Sequence, residues 1–233
     1  MPCPAFSKTL FLKILKSLAA FTLLLLLSTT ALHAVPEALL RLDPGGHTAM
    51  VSKLLITSDG RLVTASYDKT IRIWNPKNGR EERKILGQLG PGYEGMIFAI
   101  ALSPDGKLLA SGGFINSGSN ERIRIHDFHS GELLQILKGH EVIVADLAFS
   151  PDGRWLASGS GNETVRLWKR SGKRFTKGPV LQGHENHVYA VRLFEDGGRL
   201  RVVSASLDHT VRLWDVDSLE ELHESFQSLP MFP

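Results

Sequence analysis

One short phrase is written four times along this chain. Val165-Arg166-Leu167-Trp168 and Val211-Arg212-Leu213-Trp214 are its clearest copies, and Ile71-Arg72-Ile73-Trp74 and Ile123-Arg124-Ile125-His126 are its variants. A turn closed by glycine precedes each copy, with the glycines at 60, 106, 153 and 197, so the period runs 46, 47 and then 44 residues. A sustained period of about 20–50 residues marks a solenoid or propeller, whose units bury their faces only against one another. Residues that recur in every unit usually build the unit, so the repeat also weighs against reading a recurring set as a catalytic site.

The third copy shows what one unit contains. Val144-Ala145-Asp146-Leu147-Ala148-Phe149 alternates as a buried strand does. Ser150-Pro151-Asp152-Gly153 follows: proline presets φ, the aspartate bonds back to the backbone, and glycine takes the positive φ that closes a hairpin. Residues 155–160 form a second strand, residues 164–168 a β-branched third, and residues 179–182 a short fourth before the next Gly183-His184. Four antiparallel strands per period make one blade, so the expected fold is an all-β propeller.

With Gly-His, the Asp-Gly turn, Ser-x-Asp and Trp214-Asp215 recurring in order, the chain resembles the WD-repeat (Trp-Asp) β-propeller family over residues 37–226. The resemblance implies blades at about 47–87, 93–138, 140–182 and 184–226, set radially around a channel, with residues 227–233 as a tail. It also implies that His47, Ser66, Asp68 and Trp74 form a buried hydrogen-bonded quartet. The counterparts are His140, Ser160, Asn162 and Trp168, then His184, Ser206, Asp208 and Trp214. The second copy departs most. Gly92-Tyr93 stands where Gly-His belongs, His126 replaces the tryptophan, Asn120 replaces the aspartate, and the loop at 114–119 is longer.

Ser, His and Asp together invite a nucleophilic reading, in which histidine takes the serine proton and aspartate orients the ring. A catalytic site is built once, whereas this set recurs, so it is read as structural and no catalytic residue is assigned. His126-x-x-His129 and His184-x-x-His187 fall on strand or loop, where residues three apart point to opposite faces, so no metal site is expected. No glycine-rich loop leads into a helix, and no cofactor is implied.

Residues 1–34 read as a secretory signal. Lys8, Lys13 and Lys16 precede an apolar stretch at 18–27, and small residues allow a cut after Ala31 or Ala34. Export to a periplasmic or extracellular space is therefore expected, with an uncleaved membrane anchor as the alternative. The only cysteine, Cys3, lies ahead of that stretch, so the mature chain would hold neither disulfides nor thiolate sites. Without the three lysines, basic and acidic residues balance at 24 each, and nothing global attracts nucleic acid.

Function on such a scaffold lives on its loops. Tyr67, Tyr93, Phe114, Tyr189 and Leu207 are expected at one mouth of the channel as a contact face for a protein or peptide. Two functional classes follow: a non-catalytic binding scaffold, or the sensor part of a larger enzyme, since arrays of this family in bacteria are often joined to effectors such as peptidases. Four blades on the curvature of a larger ring would leave a gap. It could be closed by further blades in a longer chain, by a second subunit, or by a tight four-blade ring. An incomplete array is the expectation, with residues 37–42 and 220–226 each resembling an outer strand.

Overall fold

The computed structural model describes residues 45–114 and 121–227. The signal segment, the strand-like stretch at 37–42, Asn120 and residues 228–233 of the tail lie outside them.

Among the described residues sixteen strands form four separate antiparallel sheets of four, each in simple up-and-down order. The first sheet holds β1 (Val51–Ile56), β2 (Leu62–Ser66), β3 (Thr70–Asn75) and β4 (Arg80–Leu86). The second holds β5 (Ile97–Leu102), β6 (Leu108–Gly113), β7 (Glu121–Asp127) and β8 (Leu133–Lys138). The third holds β9 (Val144–Phe149), β10 (Trp155–Ser160), β11 (Val165–Ser171) and β12 (Arg174–Leu181). The fourth holds β13 (Val188–Asp196), β14 (Arg199–Ser206), β15 (Thr210–Asp215) and β16 (Glu221–Gln227).

Turn chemistry fixes where each first hairpin closes. Gly60, Gly106 and Gly153 sit at φ between 66° and 84°, and their N–H groups donate to the carbonyls of Thr57, Ser103 and Ser150 at 2.8–2.9 Å. The fourth sheet uses a two-residue loop instead. Gly197 and Gly198 both take positive φ between the paired Asp196 and Arg199, the pattern that matches strand twist. Two strands are longer than expected, β11 running on to Ser171 and β12 starting well before residue 179. β12 begins at Arg174, because Gly172, at φ 62°, lets Ser171 pair with Arg174 and the ladder runs on.

The core lies between sheets rather than within one. Val63, Ala65, Ile71 and Ile73 of the first blade pack on Ile97, Ile100, Leu109 and Phe128 of the second. Ala110, Ile123 and Ile125 then meet Val144, Leu147, Leu156 and Trp168. Ala157, Val165 and Leu167 meet Val188, Val191, Val202 and Trp214. The innermost strands β1, β5, β9 and β13 pack in that succession, and no comparable packing joins β13 to β1. The described residues therefore form an open arc of blades, not a tight four-blade ring.

Candidate functional site

Three blades carry a side-chain chain that runs from loop to sheet. In the first, the His47 ring lies with Nδ1 2.8 Å from Asp68 Oδ2 and Nε2 2.7 Å from Thr64 Oγ1, while the Trp74 indole N–H donates to the same Thr64 oxygen at 2.7 Å. In the third, His140 joins Asn162 at 3.2 Å and Ser158 at 2.7 Å, and Trp168 donates to Ser158 at 2.9 Å. In the fourth, His184 joins Asp208 at 2.7 Å and Ser204 at 2.8 Å, and Trp214 donates to Ser204 at 2.9 Å.

The hydroxyl in each chain is thus Thr64, Ser158 or Ser204, not Ser66, Ser160 or Ser206 as the sequence suggested. Both hydroxyls share one face of their strand, two residues apart. Only the earlier one lies beneath the tryptophan ring. The later ones tie the turn to the inner strand: Ser66 donates to the Ala49 carbonyl, Ser160 to that of Ile143 and Ser206 to that of Asn186, at 2.8–3.1 Å. Each also accepts the N–H of residue 68, 162 or 208. A Thr or Ser two places before that serine in the first, third and fourth copies was the signal that could have found the true partner.

A carboxylate on Nδ1 leaves Nε2 as an acceptor, so the hydroxyl donates to the ring and accepts from the indole. Burial pushes the Asp208 carboxyl up, but bonds from the Thr210 hydroxyl, the Glu185 N–H and His184 outweigh it and hold the group well below the usual range. Asp68 follows the same pattern: burial raises it, and Thr70, His47 and the Thr48 N–H lower it further. Ser158 and Ser204 are almost wholly shielded from solvent.

Among the described residues the second blade does not repeat the chain. Tyr93 occupies the histidine position in sequence, yet its ring is exposed and rests 6.0 Å from the Phe114 ring. A cavity of about 20 Å³ stands beside Ser111, Gly112 and Arg124, the counterparts of Ser158, Gly159 and Arg166. His126 is buried in place of tryptophan. Its Nδ1 lies 3.3 Å from the Gly131 carbonyl, and its Nε2 finds no partner among the described residues. Burial, with Arg124 nearby, pulls its pKa down against that carbonyl bond.

One backbone contact recurs in all four blades and defines a common rim. The N–H of Tyr67, Phe114, Gly161 and Leu207 donates to the carbonyl of Met50, Met96, Ile143 and His187 respectively, at 2.9–3.0 Å. Four of the five residues expected at the mouth lie on this rim and are exposed: Tyr93, Phe114, Tyr189 and Leu207. Tyr67 is half-buried, because its ring packs 4.7 Å from Phe98 of the next blade. The sequence reading missed Leu89 and Val142, both exposed. They precede inner strands, where no motif residue drew attention to them. On the opposite rim ion pairs join neighbouring blades, and Phe194 and Leu219 are exposed. Arg170 reaches Asp105 and Lys173 reaches Asp127 at 2.8–2.9 Å. Burial raises the Asp105 carboxyl, but Arg170 and Ser103 bring it down to about 2.

Comparison with known proteins agrees with this architecture. Over 169 residues the chain is 27% identical to the serine-threonine kinase receptor-associated protein of Gallus gallus, covering 72% of this chain and 43% of that protein. Over 175 residues it is 31% identical to the nuclear distribution protein PAC1 of Coccidioides posadasii, covering 68% and 35%. It superposes on the crystal structure of the RRP9 WD40 repeats with a TM-score of 0.65 and 28% identity, covering 76% of this chain and 51% of that one. The chain therefore spans about a third to a half of the proteins it matches. The family model for "WD domain, G-beta repeat" matches residues 39–75, 84–127, 131–169 and 175–215. With four repeats matched and four blades built from them, this chain belongs to the WD40 repeat family.

Proposed function

We propose that this chain is a non-catalytic scaffold that binds a protein or peptide through the rim carrying Tyr67, Tyr93, Phe114, Tyr189 and Leu207. The observation that carries the reading is the contrast between the two rims. One exposes four of these five large side chains, while the other carries the ion pairs between blades and exposes Phe194 and Leu219. Large amphipathic side chains held by a rigid sheet end are the usual anchors of protein contacts. One relative is named for association with a kinase receptor, which suits the same kind of role. The buried hydroxyl of the fourth-blade quartet already gives its proton to the histidine and accepts the indole N–H, and its burial keeps it from meeting a substrate.

A second reading rests on length, since the chain matches only a third to a half of its relatives. On that reading the array is the sensing part of a larger enzyme. Export, with residues 1–34 removed, remains part of the proposal, as does a partner that is protein rather than nucleic acid. The deciding experiment is affinity capture from the native source with wild type and with Tyr67→Ala/Leu207→Ala. Selective loss of one or more partners with the double variant supports the rim. Equal recovery of every partner removes it. An associated peptidase activity that co-purifies on the same polypeptide would favour the second reading.

A further inference from the structure

The second blade leaves open a slot that its siblings fill. Ile85, Leu137 and Leu181 hold equivalent places on β4, β8 and β12, paired with Ile71, Ile123 and Val165. Gln88, His140 and His184 each stand three residues further on. By strand register, then, Gln88 takes the histidine's place, and Tyr93 falls in the turn that follows. The Gln88 amide does not serve the hydroxyl beneath it. Its Oε1 accepts from Arg124 Nη2 at 3.0 Å, and its Nε2 donates to Glu94 at 2.8 Å. Ser111 is only 4% exposed, yet among the described residues no hydrogen bond reaches its hydroxyl. Its counterparts Ser158 and Ser204 each serve an imidazole and an indole. The half-open cavity lies between Gln88, Ser111, Gly112, Gly113 and Arg124. Phe114, next along the chain, sets its ring against Tyr93 on the rim.

Building on the rim reading, we propose that this slot takes a carboxylate, offered by an aspartate or glutamate side chain of the peptide that the rim binds. At about 20 Å³ the cavity has the space of one or two waters, which suits the two oxygens of a carboxylate and not a five-membered ring. Its donors are the Ser111 hydroxyl and the Arg124 guanidinium. A guanidinium carries five N–H groups in a fork that matches a carboxylate, and one of the five serves Gln88. The sibling arginines already pair in this way. Arg72 and Arg212 hold Glu81 and Glu221 at 2.7 Å, from outer-strand positions opposite Trp74 and Trp214. The position opposite His126 is Leu133, so the outer strand of the second blade brings no acid there. Glu94 is bonded to the Gln88 amide and does not line the cavity. Exposed Tyr93 and Phe114 stand ready for apolar neighbours of the acidic residue.

Formate is the probe, because it needs no partner and so separates failure of the slot from failure of the rim. Amide NMR spectra of the full 233-residue chain titrated with formate should show saturable shifts at Ser111, Gly112 and Gly113. Formamide, similar in shape and uncharged, should leave them unmoved. Ser111→Ala removes a hydroxyl without a partner among the described residues, so its urea midpoint should match wild type, unlike that of Ser204→Ala. Its formate affinity should fall roughly tenfold or more, and Arg124→Gln should abolish binding. An acetylated and amidated Gly-Asp-Gly peptide should move the same amides at lower concentration than formate. No saturable shift with formate, an equal response to formamide, or full binding by Ser111→Ala would each overturn the proposal. Binding of acetylated triglycine through its free C-terminus, with none by the aspartyl peptide, would overturn the side-chain source.

Discussion

The Trp214 indole donates to the Ser204 hydroxyl at 2.9 Å, and that hydroxyl lies 2.8 Å from His184 Nε2. Removing the single oxygen leaves two buried nitrogens without a partner, at about 1–3 kcal/mol for each group. Ser204→Ala should therefore lower the urea midpoint markedly with an unchanged m-value. Adding Trp214→Phe removes one of the orphaned groups, so the two substitutions should couple and cost less together than their sum. Strict additivity would mean that the hydroxyl is not shared.

The third blade carries a natural neutral variant of the same device. Asn162 sits 3.2 Å from His140, where Asp68 and Asp208 sit 2.8 and 2.7 Å from their histidines. Asn162→Asp should add a charge-assisted bond and about 1 kcal/mol of stability near neutrality. The folded state holds Asp68 and Asp208 below their ordinary value of 3.8. Stability from such groups is present above the unfolded pKa and fades as pH falls below it. The gain from Asn162→Asp should thus vanish on acidification below about pH 4, as chemical denaturation at a series of pH values would reveal.

His126 works in the opposite region of the pH scale. Burial lowers its pKa from the ordinary 6.5, so the unfolded chain binds the proton more readily than the folded one. Stability then rises with pH through the window between the lowered value and 6.5, and is lost below it. The difference in unfolding free energy between wild type and His126→Asn should narrow as pH falls from 7.5 toward 5.5. A constant difference would show that the imidazole does not titrate against folding.

Gly159 is held to a hydrogen atom by the neighbouring blade. A Cβ there would stand 2.9 Å from Val188 and 3.0 Å from Val191 side-chain carbons and 3.2 Å from the Val188 carbonyl. Gly159→Ala should destabilise by about 1–3 kcal/mol through overpacking. The equivalent position of the fourth blade already carries Ala205, half-buried on an uncovered face. Ala205→Gly should therefore change the melting temperature of the isolated chain far less.

The architecture was legible because its signals are local and repeated. Proline, aspartate and glycine at the turn of residues 150–153 and alternation in residues 144–149 each act within one strand pair. What escaped the sequence needed register between strands. Ser66 and Thr64 share a face, and nothing in their order along the chain says which one lies beneath Trp74. The outward placement of Tyr93 was equally hidden. Spacing put it in line with His47 and His140, but whether a ring turns in or out depends on the slot behind it. The longer β12 followed from Gly172, a turn whose effect is to extend a ladder rather than to end one.

Asp146 lies fully buried at the heart of the arc, on the inner strand of the third blade. It accepts from Lys53 of the first blade at 2.8 Å, and from the Val191 N–H and the Arg192 guanidinium of the fourth at 3.1 and 2.6 Å. A single carboxylate thereby indexes three sheets against one another. The first, third and fourth blades are thus tied at a common hub, and losing this one side chain would loosen all three at once.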